Sequence, residues 1–209
     1  MIIANLSISL DGYVAGPNPT LEAPLGAGGE QLHEWALAAQ SWRAQHGREG
    51  GERGVDSDWI DAVVSRVGAG VMGRRMFSGG AGPWEDDPRG RGWWGEEPPF
   101  HHDVFVLTSH PREPLELQGT TFHFVTDGIE AACERARAAA GGKDVQIHGG
   151  GSAVSQALRA GLLDELLVSV APVLLGDGTR LLQDVPPMRL RHVRSVTSPS
   201  GVTHIHFQR

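Results

Sequence analysis

The sequence lacks the features of secreted, membrane-spanning and nucleic-acid-binding proteins. Its single cysteine, Cys133, excludes an internal disulfide, and no apolar run reaches the length of a transmembrane helix. The N-terminus has neither the basic segment nor the apolar core of a signal peptide. Acidic residues outnumber basic ones, so that the net charge is −7 and no basic face for nucleic acid or lipid is expected. We therefore expect a cytoplasmic protein that binds neither nucleic acid nor membranes.

The sequence also lacks a metal-binding pattern. Its histidine clusters, His101-His102-Asp103 and His204-Ile205-His206, have no cysteine partner and no i, i+4 helical spacing. We therefore predict no metal site. Cys133 shares helical spacing with Ile129 and Ala136, which indicates packing rather than reactivity.

Strands and helices alternate through most of the 209 residues, with no repeat and no linker that divides the chain. This pattern predicts a single three-layer α/β domain over residues 1–209, whose mostly parallel central sheet ends in antiparallel strands. The predicted strands are residues 2–9, 69–73, 103–109, 120–126, 143–148, 163–173, 190–197 and 202–208. The predicted helices are residues 30–44, 56–68, 127–140 and 153–161. Residues 16–29 and 78–101 are rich in Gly and Pro and are predicted as loops, of which the second is long enough to be a functional flap.

Three glycines separate a predicted strand from a predicted helix. We call Gly149-Gly150-Gly151-Ser152 the glycine turn. Glycines let backbone N–H groups converge without obstruction by Cβ atoms, beside the positive end of a helix dipole, and this combination binds phosphate. The alternative is a tight turn without a ligand.

Two other predicted strands end in groups suited to an anion. Val71-Met72-Gly73 leads into Arg74-Arg75, and residues 103–107 lead into Thr108-Ser109-His110. Arginine offers a planar, bidentate grip on phosphate, and hydroxyl groups can complete the shell. Ligands of open α/β sheets bind beyond the carboxyl ends of the strands. These segments therefore predict a dinucleotide site with the glycine turn, unless the arginines are only a solvated helix start.

Five motifs together resemble the dihydrofolate reductase-like superfamily, in particular bacterial proteins similar to the reductase domain of riboflavin biosynthesis. They occur in family order and span nearly the whole chain. The motifs are residues 9–16 (SLDGYVAG), 71–77 (VMGRRMF), 106–108 (VLT), the glycine turn, and 164–166 (DEL) followed by 172–178 (PVLLGDG). The G-x-G-x-x-G motif of doubly wound dinucleotide-binding proteins is absent, as this superfamily predicts.

The resemblance implies a reductase that uses NADPH. It implies that the adenosine 2′-phosphate lies near Arg74, Arg75, Thr108, Ser109 and His110, with Gly73 at the preceding strand end. It implies that the pyrophosphate lies on Gly149, Gly150, Gly151, Ser152 and Ala153. The backbone of Val14 and Ala15 would face the nicotinamide. Which of Arg74 and Arg75 contacts the 2′-phosphate stays open.

A reductase of a C=N bond needs a proton donor, and dihydrofolate reductases take it from an acidic residue on the first helix after the opening strand. The nearest matches here are Asp58 and Asp61, although each also suits the N-terminus of a helix. Asp11 is the second candidate, with a structural role in the turn before Gly12 as its alternative. Glu34 and Trp35 are candidates for the substrate pocket, with core packing as the alternative for Trp35.

The adjacent residues Trp93 and Trp94 lie in a polar loop and cannot both point the same way. We expect one of them, Trp94, to cover a ligand or a partner. The implied substrate is a small conjugated heterocycle that resembles a pterin, a folate or a riboflavin precursor. The alternative is a non-catalytic nucleotide- or ligand-binding protein with the same fold. The resemblance also implies a homodimer, supported by the predicted strand at residues 165–173, whose neighbours could extend across a two-fold axis.

Overall fold

A computed structural model describes residues 1–80 and 82–209. The strands are β1 Ile2–Ser9, β2 Tyr13–Ala15, β3 Val67–Gly73, β4 Asp103–Leu107, β5 Leu115–Leu117, β6 Thr120–Val125, β7 Asp144–Gly149, β8 Glu165–Ala171, β9 Thr179–Arg180, β10 Arg191–Thr197 and β11 Thr203–Gln208. The α-helices are α1 Glu34–Ala38, α2 Gln40–Gln45, α3 Val55–Val64, α4 Arg74–Ser78, α5 Gly128–Ala139 and α6 Gly151–Arg159. Short 3₁₀ helices occupy Gly29–His33 and Trp84–Asp86.

Nine of the described strands form one sheet in the order β10-β11-β8-β1-β7-β3-β4-β6-β5. The six strands from β8 to β6 are parallel to one another. The C-terminal strands β10 and β11 are antiparallel, and so is the short edge strand β5. This arrangement confirms the predicted α/β sheet, mostly parallel with antiparallel C-terminal strands. The carboxyl ends of β7, β3, β4 and β6 therefore lie side by side at one edge, where the sequence places its candidate cofactor residues.

Alternation along β1 divides the core between the two faces of the sheet. Ile2 and Ala4 pack with α5 and α6 in the larger cluster, whereas Ile3 packs with α1 and α3 on the opposite face. Over β3, β4 and β6, that opposite face is covered instead by residues 82–102. These residues are mostly without regular structure, as predicted, but aromatic rings anchor them, because Trp84, Trp94 and Phe100 pack around buried Phe77 and Phe122.

The predicted single helix over residues 30–44 is wrong. A 3₁₀ turn precedes α1, and Ala39 then adopts an extended conformation that separates α1 from α2. The cause is a tertiary contact that periodicity does not reveal. The backbone of Glu52 inserts at this point, donating its N–H to the Ala38 carbonyl (2.7 Å) and accepting the N–H of Gln40 (2.8 Å).

Two short strands near the glycine turn were not predicted, because two or three residues are too few to show a period. β2 and β9 pair antiparallel, with Tyr13 opposite Arg180. The Arg180 guanidinium lies over the Tyr13 ring and donates to its hydroxyl oxygen at 2.9 Å. This ribbon fixes the segment after β1 against the loop that follows β8.

Candidate functional site

The glycine turn connects β7 to α6 and is packed on one side only. Gly149 ends β7 with φ +133°, a conformation that favours glycine, and the Gly149–Gly150 peptide bond is cis. A Cβ added at Gly151 would lie 3.0 Å from both the Arg180 carbonyl oxygen and a Val14 methyl group. A Cβ added at exposed Gly150 would meet no atom within 4 Å. The turn is therefore closed towards β2 and β9 and open at Gly150, where α6 begins.

Three of the predicted cofactor segments meet at this turn. Val14 touches Gly151, and Ala15 follows it in β2, paired with Thr179. From the neighbouring strand, a Cβ added at Gly73 would lie 3.7 Å from the Gly150 amide nitrogen. Ser152 is exposed at the start of α6, whereas Ala153 is buried and donates its N–H to the Gly150 carbonyl. The structure thus brings together the segments that the sequence assigns to the nicotinamide, the pyrophosphate and the end of β3.

A cavity of about 300 Å³, which we call the small cavity, lies at the same edge of the sheet. Arg74, Thr108 and Ser109 line it from the ends of β3 and β4, together with Gln156 of α6. Thr108 and Ser109 were predicted for this place. Gln156 was not predicted, since nothing in the sequence of α6 marks it. His110 does not line the small cavity; its N–H donates to the Thr108 hydroxyl oxygen (3.1 Å), and its carbonyl accepts the Trp84 indole N–H (2.7 Å).

Arg74 and Arg75 differ sharply in their surroundings. The Arg74 side chain is 6% exposed and forms an ion pair with Asp87, whose side chain is 2% exposed, and it also hydrogen-bonds to Ser78. Its guanidinium lies 3.6 Å from the centre of the Trp84 ring. Burial alone would raise the pKa of Asp87, but the hydrogen bonds from Ser78 and Arg74 bring this pKa below its usual value. The charge of Arg74 is therefore already balanced inside the protein.

One donor atom of Arg74, Nε, has no partner. It is buried and makes no hydrogen bond among the described residues, although the Arg74 side chain lines the small cavity. Arg75 is exposed, and no described residue pairs with it. Because Asp87 neutralises Arg74, Arg75 is the one of the two arginines whose charge no described residue balances. Sequence reasoning missed Asp87 and Trp84, which lie in the irregular segment after α4 with no periodic link to Arg74.

Asp11 joins two loops, and its environment keeps it ionised. Its carboxylate accepts the backbone N–H groups of Leu175 (3.2 Å) and Gly176 (2.7 Å). Hydrogen bonds from Ser9 and from these amides lower the pKa of Asp11 to about 2. A carboxyl group with this pKa holds no proton near neutral pH, so the structure favours the structural alternative for Asp11.

Asp58 is exposed on α3, and its carboxylate forms no hydrogen bond or ion pair within the described residues, while its backbone N–H donates to the Gly54 carbonyl (2.8 Å). Gly54 occupies the N-cap position and no side chain caps the helix, but Asp58 lies in the first turn, where the helix dipole favours a negative charge. Asp56, two residues earlier, bonds instead to Ser198 (2.8 Å) and His204 (2.7 Å). The structure shows no contact of Asp58 with the glycine turn.

The three residues predicted for the substrate pocket, Glu34, Trp35 and Trp94, have separate surroundings. Trp35 is 8% exposed, donates its indole N–H to Ser7 (3.0 Å) and packs edge-on against His204, which fits the core-packing alternative. Glu34 is exposed at the first residue of α1. Trp94 is partly buried against Phe100 with ring centres 4.9 Å apart, and its buried indole N–H has no partner among residues 1–80 and 82–209.

The described residues contain neither a membrane-spanning helix nor a cluster of metal-binding side chains. No helix within them is both long and apolar enough to cross a bilayer. No group of three or more His, Cys, Asp or Glu side chains in residues 1–80 and 82–209 is arranged to hold a metal ion.

The residues at the open edge fit a nicotinamide dinucleotide. The fit rests on the exposed Gly150 position, where an added Cβ would meet no atom within 4 Å, and on Arg74, which lines the small cavity and whose buried Nε has no hydrogen-bond partner among the described residues. Together with the sheet topology, these features define an α/β protein with a candidate nucleotide site at the carboxyl ends of its parallel strands.

The family is shown by sequence comparison. The family model described as RibD C-terminal domain matches residues 1–204, so the chain belongs to the RibD C-terminal domain family. Membership supports an oxidoreductase of the riboflavin-biosynthesis reductase type. YyaP, an uncharacterized protein of Bacillus subtilis (strain 168), is 40% identical over 65 residues, which are 31% of this chain and 35% of YyaP. The match therefore spans about a third of that relative.

Two solved structures share the fold. A putative riboflavin biosynthesis protein from Shewanella sp. PV-4 matches with TM-score 0.64 and 21% identity, covering 100% of this chain and 98% of its own. A diaminohydroxyphosphoribosylaminopyrimidine deaminase/5-amino-6-(5-phosphoribosylamino)uracil reductase from Thermotoga maritima matches with TM-score 0.56 and 11% identity, covering 100% of this chain and 56% of its own. These likenesses agree with the sheet described above.

Proposed function

We propose that the protein is an NADPH-dependent reductase of a small conjugated heterocycle of the pterin, folate or riboflavin-precursor type. The observation that carries the proposal is the open side of the glycine turn. This open side lies beside the end of β3. At the same edge of the sheet, Arg74 lines the small cavity, and its buried Nε has no hydrogen-bond partner among the described residues. Family membership supports the reductase class.

The chain's own groups would hold the cofactor in three places. The N–H groups at the start of α6 lie next to the exposed Gly150 position, where a pyrophosphate is favoured by the helix dipole. Arg74 and Ser109 line the small cavity and would bind the adenosine 2′-phosphate there, whereas the Thr108 hydroxyl already donates to the His110 carbonyl at 3.3 Å. When bound, the nicotinamide supplies hydride. The protein orients it through the backbone of Val14 and Ala15, which the β2–β9 ribbon fixes in place.

Arg75 is the arginine free to add charge to the 2′-phosphate site, because it is exposed and unpaired among the described residues. Arg75→Gln should weaken NADPH binding about ten-fold and leave NADH binding nearly unchanged, since the 2′-phosphate is the large difference between the two. The measurement is the dissociation constant of each cofactor at fixed salt. Arg189→Gln, an exposed arginine before the opposite edge strand β10, is the control. Equal losses for NADPH and NADH would assign Arg75 to the shared pyrophosphate instead.

A non-catalytic ligand-binding protein is the second candidate, favoured by the clamped Asp11 and the exposed, uncontacted Asp58. The two functions are separated by incubating the protein with NADPH and a panel of pterins, flavins and pyrimidine precursors. Loss of the reduced-nicotinamide absorbance with any member supports the reductase, and Asp58→Asn then tests the proton donor. Cofactor binding without oxidation across the panel supports the second candidate.

We also propose a homodimer. β8 is flanked by β1 and β11, and beyond β11 the sheet ends at β10. β10 is the edge strand, and six of its seven residues are exposed. Light scattering at micromolar concentration should give twice the 22.4 kDa chain mass. The monomer mass would contradict the proposal.

A further inference from the structure

A second and larger cavity, of about 530 Å³, opens in the segment that follows α4. We call it the arginine cavity, because Arg89, Arg91 and Arg112 line it together with Trp84. Three arginines around one cavity are unexpected in a chain with a net charge of −7. None of the motifs in the sequence pointed to this place.

The positive charge of this cavity is not balanced by the protein. Arg91 pairs with Glu96 at 3.4 Å, but these side chains are 64% and 83% exposed, so the pair is weak. Neither Arg89 nor Arg112 takes part in an ion pair within residues 1–80 and 82–209. Asp87 accepts the Arg89 backbone N–H (2.9 Å), but its carboxylate is ion-paired with Arg74, and within the described residues no ion pair joins Glu85 or Asp86 to these arginines. Two guanidinium charges therefore remain without a partner.

Arg112 is held in place despite this repulsion. Its guanidinium lies 4.6 Å from the Trp84 ring centre and 4.8 Å from that of Phe124, and it donates to the Gly90 carbonyl. Burial, followed by the neighbouring charges of Arg74 and Arg91, lowers the pKa of Arg112 below its usual value. A bound anion would remove this repulsion, and the aromatic rings already fix the orientation of the planar donor.

We propose that the arginine cavity is a phosphate-binding site whose occupant is a phosphate monoester. The two unpartnered charges of Arg89 and Arg112 match the dianion of such a group, whereas a carboxylate would balance only one of them. The planar, bidentate donors of arginine fit phosphate oxygens. Arg91, at the exposed side, adds attraction during approach.

The arginine cavity adjoins the small cavity, to which the proposed function assigns the adenosine 2′-phosphate. Trp84 lines the arginine cavity and also stacks with Arg74, which lines the small cavity. Two sources of the phosphate are to be separated: the 2′-phosphate of the dinucleotide, bound here rather than in the small cavity, or a separate phosphorylated small molecule. Only the first source rests on the proposed function.

The test is calorimetric titration of the full chain with inorganic phosphate, adenosine 2′-monophosphate and adenosine 5′-monophosphate. Arg89→Gln and Arg112→Gln should each weaken binding about ten-fold, because each removes one charge-assisted contact, and Arg189→Gln should change nothing. Arg89 is the decisive position, since its side chain makes no hydrogen bond in the described chain and its loss should leave the fold intact. Arg112→Lys retains the charge without the planar donors, and it should bind between the wild type and Arg112→Gln.

The ligands separate the two sources. Binding of adenosine 2′-monophosphate alone identifies the dinucleotide's phosphate, and equal binding of all three identifies a separate phosphate monoester. No binding to the wild type, or binding that Arg89→Gln and Arg112→Gln leave unchanged, would overturn the proposal. NADH, which lacks the 2′-phosphate, is titrated in parallel. A protein that binds phosphate through Arg89 but binds no nicotinamide would refute the proposed reductase and support this site.

Discussion

The buried pair of Arg74 and Asp87 should contribute strongly to stability. Its two side chains are 6% and 2% exposed, and Ser78 donates to the same carboxylate oxygen at 2.6 Å. Removing one partner of such a pair leaves the other charge buried and uncompensated, which costs about 3–5 kcal/mol. Arg74→Gln should therefore lower the free energy of unfolding by about 3 kcal/mol or more.

The assay is urea unfolding followed by tryptophan fluorescence, in which a lower midpoint with an unchanged m-value reports lost stability. Arg75→Gln is the matched control, because the neighbouring side chain is exposed, and its effect should stay within about 0.5 kcal/mol. Asp87→Asn should also destabilise the protein. The double variant Arg74→Gln/Asp87→Asn should then cost less than the sum of the two, by about 1 kcal/mol or more.

Two results would refute this reasoning. If Arg74→Gln and Arg75→Gln cost the same, Arg74 is not the internal residue described here. If the Arg74 and Asp87 variants are additive, the two side chains do not interact. In the first case, both arginines would again be equal candidates for the 2′-phosphate.

Three further predictions concern other groups. Asp11→Asn should speed hydrogen exchange at the backbone N–H groups of Leu175 and Gly176, because the asparagine side chain lacks the negative charge that both N–H groups contact. Unchanged exchange would show that the Asp11 carboxylate does not hold this loop. Cys133 is buried, and desolvation raises its pKa to about 11, so a maleimide at about pH 8 should label it only after unfolding; rapid labelling of the native protein would contradict this. Burial, with His102 nearby, lowers the pKa of His148 from 6.5 to about 3, so that the unfolded state binds more protons in this range. The contribution of His148 to the free energy of unfolding is then fully present above about pH 6.5. It falls by roughly 1.4 kcal/mol per pH unit between there and about pH 3. His148→Gln should flatten this dependence in thermal unfolding measured at several pH values.

The fold could be predicted from the sequence because its signals are local. The strands in the middle of the sheet, β1, β3, β7 and β8, carry the buried apolar residues that predict them, and the glycine turn marks the β7–α6 connection directly. The break at Ala39 could not be predicted, since it depends on Glu52 arriving from a distant loop. β2, β5 and β9 were too short to show a period.

The site was predictable where backbone geometry decides it and not where side-chain pairing does. Gly73 lies beside Gly150 because the parallel strands β3 and β7 bring their carboxyl ends to one edge, and Val14 of β2 lies beside Gly151. Adjacent arginines look alike in a sequence, yet Asp87 neutralises Arg74 and leaves Arg75 free. Asp11 and Trp35 were candidates for chemistry by residue type, and tertiary hydrogen bonds give them structural roles instead.

Gly150→Val gives the most direct test that a dinucleotide lies on the glycine turn. The new side chain meets no protein atom within 4 Å at its Cβ, and the backbone φ of −70° suits any residue, so the thermal stability should be unchanged. The same side chain would stand where the pyrophosphate approaches, and the measurement is the dissociation constants of NADPH and NADH. Both should weaken about ten-fold or more relative to the wild type, because both cofactors share the pyrophosphate. A stable Gly150→Val variant that binds NADPH as tightly as the wild type would contradict the account.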